Sequence, residues 1–283
     1  MIPFFPAPLR GQIGPDMISA FHRDGVLVLE DMISDVTCKA LMAQMDHIIA
    51  SYEPQEHVTV FETLENSQAS DVYFLNSSKN ISFFFEDGAL GADGRQLVPV
   101  EQGLNKVGHG LHSQDPVFRA FCEDPTFVRL LTALGLQRPE AVQSMYIFKQ
   151  PGIGGEVRCH QDSSYMWTER QSCVGLWFAL EDATLENGCL KAVAGGHKEA
   201  MPRQRLRRLG PGSLQTEMQI FDECQWDARA AEPLEVRAGT MVVLHGQLPH
   251  LSAANTSACS RHAFALHFID GVCEYAPDNW LER

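Results

Sequence analysis

Residues 142–162 read VQSMYIFKQPGIGGEVRCHQD. An apolar run rich in aromatic and β-branched residues leads through a Pro-Gly and Gly-Gly turn region into a short second run ending in His160-Gln161-Asp162. In an extended strand, side chains two apart share a face. His160 and Asp162 can thus grip one ion while Gln161 turns away. Further along come His250 and then Arg261. Two neutral imidazoles and one carboxylate form the donor set of a non-haem Fe(II) oxygenase, a facial triad that leaves positions open. A buried Arg holds a carboxylate through a planar two-pronged contact that Lys does not reproduce. The combination points to 2-oxoglutarate, chelated by its keto-acid end and anchored by Arg261 at the other.

Working outward, the region from about 142 on is a series of short β-like runs: VQSMYIFKQ, VGLWFALED, GCLKAVAG, TMVVLHG and HAFALHF, separated by Gly, Pro and Asn. Many short strands with such turns indicate a sandwich or jelly roll. Before it, residues 16–24 predict a helix stopped by Gly25, Val26–Leu29 a buried strand, and residues 35–50 a helix with Leu41, Met45, Ile48 and Ile49 on one face. Phe83-Phe84-Phe85 precedes DGALGADGR, a hairpin signal, and residues 125–134 predict a helix closed by Gly135. With 283 residues, 45% of them hydrophobic, the chain is expected to be one domain. It divides into a helical and irregular part over about 1–140 and a β core over about 141–270.

The net charge of −14 sets the chain against phosphate backbones, so no nucleic-acid partner is expected. No apolar run approaches the roughly 18 residues of a membrane span. The eight scattered cysteines contain no C-x-x-C pair and read as reduced thiols of a reducing compartment. MIPFFPAPLRGQ lacks the pattern of a secretory signal, and NWLER is not a Ser-Lys-Leu peroxisomal address, so the cytoplasm is the expected location. Arg203, Arg205, Arg207 and Arg208 form the one compact basic cluster, in a segment, 200–232, long enough to be a lid or insert. As a lid it would draw an anionic small-molecule substrate to the pocket mouth.

SMYIFKQPGIGGEVRCHQD and LWFALEDATLENGCL closely resemble the phytanoyl-CoA dioxygenase family of Fe(II)/2-oxoglutarate oxygenases. The resemblance extends to FHRDGVLVLEDMIS, NKVGHGLHSQDPVF, HGQLPHLSAANTS, SRHAFALHF and the final DNW, and so covers nearly the whole chain. It implies a mainly β fold with flanking helices and a double-stranded β-helix (jelly-roll, cupin-like) core. It implies Fe(II), 2-oxoglutarate and O2 as cofactor and cosubstrates, with hydroxylation of a small molecule. The implied metal ligands are His160, Asp162 and His250, and the implied 2-oxoglutarate contacts are Lys106, Met145, Trp177, Ser252 and Arg261.

The residues by themselves leave some of this open. Trp177 and Met145 are also ordinary core residues, and Lys106 also reads as a surface lysine. His245 competes with His250 as a ligand; His250 is favoured because Ser252 and Arg261 follow it in the family's pattern. His262 and His267 read as core or supporting groups, and His109, His112 and His197 receive no role. The family often has a Trp and a Pro-Gly-Ser-His turn after the NGCL strand. Here the text is NGCLKAVAGGHKEA, with Lys191 in place of the aromatic, which bears on substrate identity. A halogenase on the same scaffold would need a small residue in place of Asp162. A sensor that binds metal and 2-oxoglutarate without turning over a substrate would carry the same site.

Overall fold

The structure is a computed structural model describing residues 1–52, 72–91, 95–198, 201–210 and 212–282. Local sequence sets the helix ends. Helix α1 (Pro15–Asp24) starts on a proline, whose missing N–H costs nothing in a first turn. It ends at Gly25, which adopts φ 75° and returns its N–H to Phe21 O at 2.7 Å. Helix α2 (Asp35–Ala50) is capped by Ser34, whose side chain accepts from Thr37 N, and it buries Cys38, Leu41 and Met45. Ile48 and Ile49 pack against the same core while half-buried.

Among the described residues, eight strands form the larger sheet. They are β1 (Phe4–Pro6), β2 (Val26–Glu30), β3 (Ile81–Phe85), β4 (Leu104–His109), β5 (Pro139–Ile147), β7 (Val174–Ala179), β12 (Met241–His245) and β14 (Ala263–Asp270), in the order β1-β2-β12-β7-β14-β5-β4-β3. A second sheet runs β11-β8-β13-β6, from β6 (Val157–His160), β8 (Leu190–Ala192), β11 (Glu232–Leu234) and β13 (His250–Ser252). β9 (Gln204–Arg208) and β10 (Thr216–Ile220) pair as a hairpin. Apart from β1 with β2, the strand pairs are antiparallel.

Alternation assigns the two faces of the larger sheet. On β2, β7 and β12, residues Leu27, Leu29, Leu176, Phe178, Met241 and Val243 join a core with Phe21, Leu41, Phe118, Phe127 and Leu130 from the helices. Their neighbours Val26, Val28, Trp177, Ala179, Val242 and Leu244 face the other way, packing with Leu190, Ala192 and Leu234 of the smaller sheet and with Cys189 just before β8. The result is a jelly roll with helices on one outer face, as the sequence predicts. The part before residue 140 is less helical than expected, since β1 to β4 supply half of the larger sheet. Within the segment 200–232 stand the β9–β10 hairpin and, further on, a single 3₁₀ turn at Ala228–Ala230. Leu90 and Gln96 bridge across the predicted DGALGADGR hairpin, whose residues 92–94 lie outside the described residues. Among the described residues, no helix is long and apolar enough to cross a membrane. All eight cysteines are free, five of them buried.

Candidate metal and cosubstrate site

β13 lies beside β6 with His250 directly opposite His160. The strand β6 stops at His160, Gln161 stays extended (φ −121°, ψ 130°), and Asp162 begins a single 3₁₀ turn, Asp162–Ser164. Asp162 thus comes round to the face of His160 from just beyond the strand end. One donor atom from each of His160, Asp162 and His250 lies within 4.8 Å of the others. His160 Nε2 is 3.6 Å and His250 Nε2 3.7 Å from Asp162 Oδ1.

The backbone fixes both rings. His160 Nδ1 lies 2.8 Å from Arg158 O, and His250 Nδ1 lies 3.0 Å from Leu248 O. A carbonyl only accepts, so each Nδ1 carries the proton and donates it, leaving each Nε2 lone pair facing inward. That is the tautomer a metal requires. Burial, reinforced by His160, pushes His250 down to about 4. Burial opposes ionisation of Asp162, but His250 and His267 outweigh it and hold the carboxyl well below its ordinary range. Burial lowers His160, but its contact with Asp162 outweighs that and raises it above the ordinary value. Two inward-turned imidazoles, one of them half-buried, and a buried ionised carboxylate form a donor set that fits a divalent metal ion.

Three of the expected cosubstrate residues, Lys106, Met145 and Trp177, stand on strands of the larger sheet; Ser252 stands on β13 of the smaller one and Arg261 just before β14. Gly108, Met145, Ala265 and Trp177 stand in one row across β4, β5, β14 and β7. Lys106, Ile147, Ala263 and Ala179 form the next row. Lys106 is therefore a buried residue, its ammonium pushed well below its usual value by burial. Arg261, just before β14, is 2% exposed, and its guanidinium lies 5.4 Å from the Trp177 ring centre. Its Nε and Nη1, and the Oγ of buried Ser252, lack hydrogen-bond partners among the described residues. A buried cation with unmade hydrogen bonds is costly alone, and a bound carboxylate would satisfy both groups.

Sequence reasoning missed several participants. Glu86 is buried, lies in electrostatic reach of Lys106, Lys149 and Arg261, and accepts Gly155 N at 3.1 Å. Burial and Arg261 push buried Lys149 down to about 7, and its Nζ donates to Gly155 O at 2.6 Å. Nothing in FKQPG distinguishes that lysine from a surface one. Gln161 is fully buried: its Nε2 donates to Gln247 O at 2.7 Å, and its Oε1 accepts from Arg203 N at 2.9 Å.

His245 stands apart from the three donors. Its ring packs 4.9 Å from His197 and 6.1 Å from Phe21, and its Nδ1 accepts from Gln247 N. The four arginines of the hairpin are engaged within the fold. Arg203 lies over Trp226 and near Asp222, Arg205 pairs with Asp278, and Arg207 pairs with Glu217. Arg208 donates to Trp280 O and Ser213 O. The cluster is tied down by acids and carbonyls, not presented as a basic surface.

The family model for phytanoyl-CoA dioxygenase (PhyH) matches residues 21–263. The chain is 41% identical over 278 residues to "Phytanoyl-CoA dioxygenase" of Arabidopsis thaliana, covering 97% of this chain and 95% of that protein. It is 42% identical over 277 residues to "Phytanoyl-CoA dioxygenase domain-containing protein 1" of Bos taurus, covering 95% of each. Among solved structures, it shares its fold with the non-heme alpha ketoglutarate dependent carbocyclase SnoK from nogalamycin biosynthesis, with a TM-score of 0.64 at 17% identity over 96% of this chain and 90% of that one. It also resembles EctD from S. alaskensis, crystallised with 2-oxoglutarate and 5-hydroxyectoine, with a TM-score of 0.61 at 18% identity over 93% of this chain and 78% of that one. With a matching family model over most of its length and relatives of this identity along nearly all of it, the chain belongs to the phytanoyl-CoA dioxygenase family and is a 2-oxoglutarate-dependent non-haem iron dioxygenase.

Proposed function

We propose that this enzyme couples oxidative decarboxylation of 2-oxoglutarate, to succinate and carbon dioxide, with hydroxylation of a small-molecule substrate at a site built from His160, Asp162 and His250. The observation that carries it is the convergence of three preoriented donors, two of them buried and His160 half-buried, on a fold that also buries an Arg261 with hydrogen bonds unmade among the described residues. When bound, the iron supplies the oxygen activation and hydrogen abstraction that side chains do not perform alone.

The chain's own groups bind, orient and exclude water. His160 and His250 present Nε2, and Asp162 presents Oδ1. Arg261 and Ser252 take the far carboxylate of 2-oxoglutarate. Burial disfavours the charged forms of Lys106 and Lys149, and a dianionic cosubstrate beside them would favour those forms again. Met145 and Trp177, either side of Ala265, form the apolar wall along which its carbon chain lies. Burial of these groups strengthens each charged contact.

The test compares wild type with Asp162→Ala. Succinate formation that depends on Fe(II) in wild type and vanishes in the variant is the expected outcome. Equal turnover in both chains would remove the site. Metabolite profiling of the same pair would then identify the substrate through a product one oxygen atom heavier that only the active enzyme forms. It would also separate a hydroxylase from a protein that only senses 2-oxoglutarate.

A further inference from the structure

The two oxygens of Asp162 have different neighbours. Oδ1 faces His160 and His250. Oδ2 lies 3.3 Å from His267 Nε2. That separation is slightly longer than a tight N–H···O bond, and no well-formed hydrogen bond from the described residues reaches Oδ2. His267 comes from β14, where it stands opposite Gly175 of β7. A Cβ on Gly175 would lie 3.2 Å from Asp162 Oδ2 and 3.3 Å from His267 Nε2, tighter than ordinary packing. The glycine in CVGLW is what lets the carboxylate and the ring approach over the sheet.

The surroundings choose the tautomer of His267. Its Nδ1 is buried without a partner among the described residues. A proton there would bury an unmade N–H and turn a lone pair towards a carboxylate oxygen. A proton on Nε2 leaves only a lone pair unmatched, the commoner kind of orphan, and gives the carboxylate a charge-assisted donor.

We propose that His267 is a positioning residue for the metal site, its Nε2–H holding Asp162 Oδ2 so that Oδ1 alone is offered to the ion. This rests on the reading of His160, Asp162 and His250 as the ligands. A carboxylate held by one oxygen cannot turn and chelate through both. The position its second oxygen would take stays open for cosubstrate or oxygen. Apo contacts of this kind are often long and tighten when the site fills.

The test uses the full chain, freed of metal and titrated with Co(II) under calorimetry, with the visible absorption of the bound ion recorded. In His267→Leu, Co(II) affinity is expected to fall roughly 10- to 100-fold, the usual loss when a ligand's outer partner is removed. The absorption of the bound ion should change with it. In His267→Gln, whose amide nitrogen reaches the place of Nε2, affinity and spectrum should return close to wild type. The metal-free Leu and Gln variants should melt alike; a merely structural role would not separate them in metal affinity. Should the Leu variant fail to fold, His267→Asn, with its amide too short to reach Oδ2, is expected to show the same loss. Wild-type affinity and spectrum in the Leu or Asn variant, or a Gln variant as impaired as these, would overturn the proposal. His160→Ala is the control. A wild type that binds Co(II) no better than His160→Ala defeats the ligand assignment itself, and this inference with it. A tight wild type with an unaffected Leu variant defeats this inference alone.

Discussion

His160 and His250 face each other across the β6–β13 ladder, and each donates its Nδ1 proton to the carbonyl two residues before it. The same local device on two strands turns both Nε2 atoms towards Asp162. Replacing His160, Asp162 or His250 with Ala is therefore expected to abolish Fe(II)-dependent 2-oxoglutarate turnover. His245→Ala, which alters a ring packed on His197 and Phe21, should keep most of it. Succinate assays alongside iron stoichiometry check this. Iron retained by His250→Ala and lost by His245→Ala would reverse the assignment.

Arg261 is the anchor whose geometry matters as much as its charge. Arg261→Lys is expected to weaken 2-oxoglutarate binding about ten- to hundredfold, since a lost charge-assisted hydrogen bond costs about 1.5–3 kcal/mol. A binding titration with the cosubstrate reads it directly, and unchanged affinity would take Arg261 out of the site.

The hairpin arginines make a prediction about stability rather than substrate capture. Arg208 is 4% exposed and holds Trp280 O through two nitrogens, so Arg208→Ala should cost roughly 1–3 kcal/mol in urea unfolding. Arg207 pairs with Glu217 closer to solvent, and Arg207→Ala should change stability by less than about 1 kcal/mol. Equal losses would mean that the depth of the pairing is irrelevant here.

Acid should destabilise the fold through its buried neutral histidines. Burial, with help from His197 and His22, pushes His245 down to about 4, and burial pushes His112 to about 4. An unfolded histidine titrates near 6.5, so between about pH 6.5 and 4 the unfolded chain holds more protons than the folded one. Stability therefore falls as pH drops through that window, by at most about 1.4 kcal/mol per pH unit for each such ring. Unfolding free energies measured across it should show a shallower slope in His245→Ala. A slope identical to wild type would mean that His245 charges as readily in the fold as outside it.

The parts of the structure legible in the sequence are those where local chemistry and tertiary demand agree. Gly25 and Gly135 end helices because the turn needs a positive φ, and TMVVLHG and HAFALHF form central strands because both of their faces are covered. LNKVGH was not legible as a strand. Its Asn105, Lys106 and His109 look solvated, yet all three are buried, because the interior here is built to receive charge. QRLRR was equally opaque. Its arginines read as a basic cluster in a lid or insert, and partners outside the strand, Glu217, Asp278 and Trp280 O among them, tie them into the fold. Glu86 and Lys149 carried no signal, since a buried ion network is defined by partners far apart in the chain. The triad was legible because two of its members are neighbours in sequence and their spacing is a strand's repeat.

Gln161, between two of the proposed ligands, spends its whole side chain on the backbone of Arg203 and Gln247. The tripeptide thus serves two structures at once, its outer members facing the site and its middle one mooring the root of the β9–β10 hairpin. That fixes where the enzyme can vary. The far end of the hairpin, beyond Arg208, can lengthen or change character with the mooring intact. A shift in the approach to Arg203 would be felt at the peptide bonds on either side of Gln161.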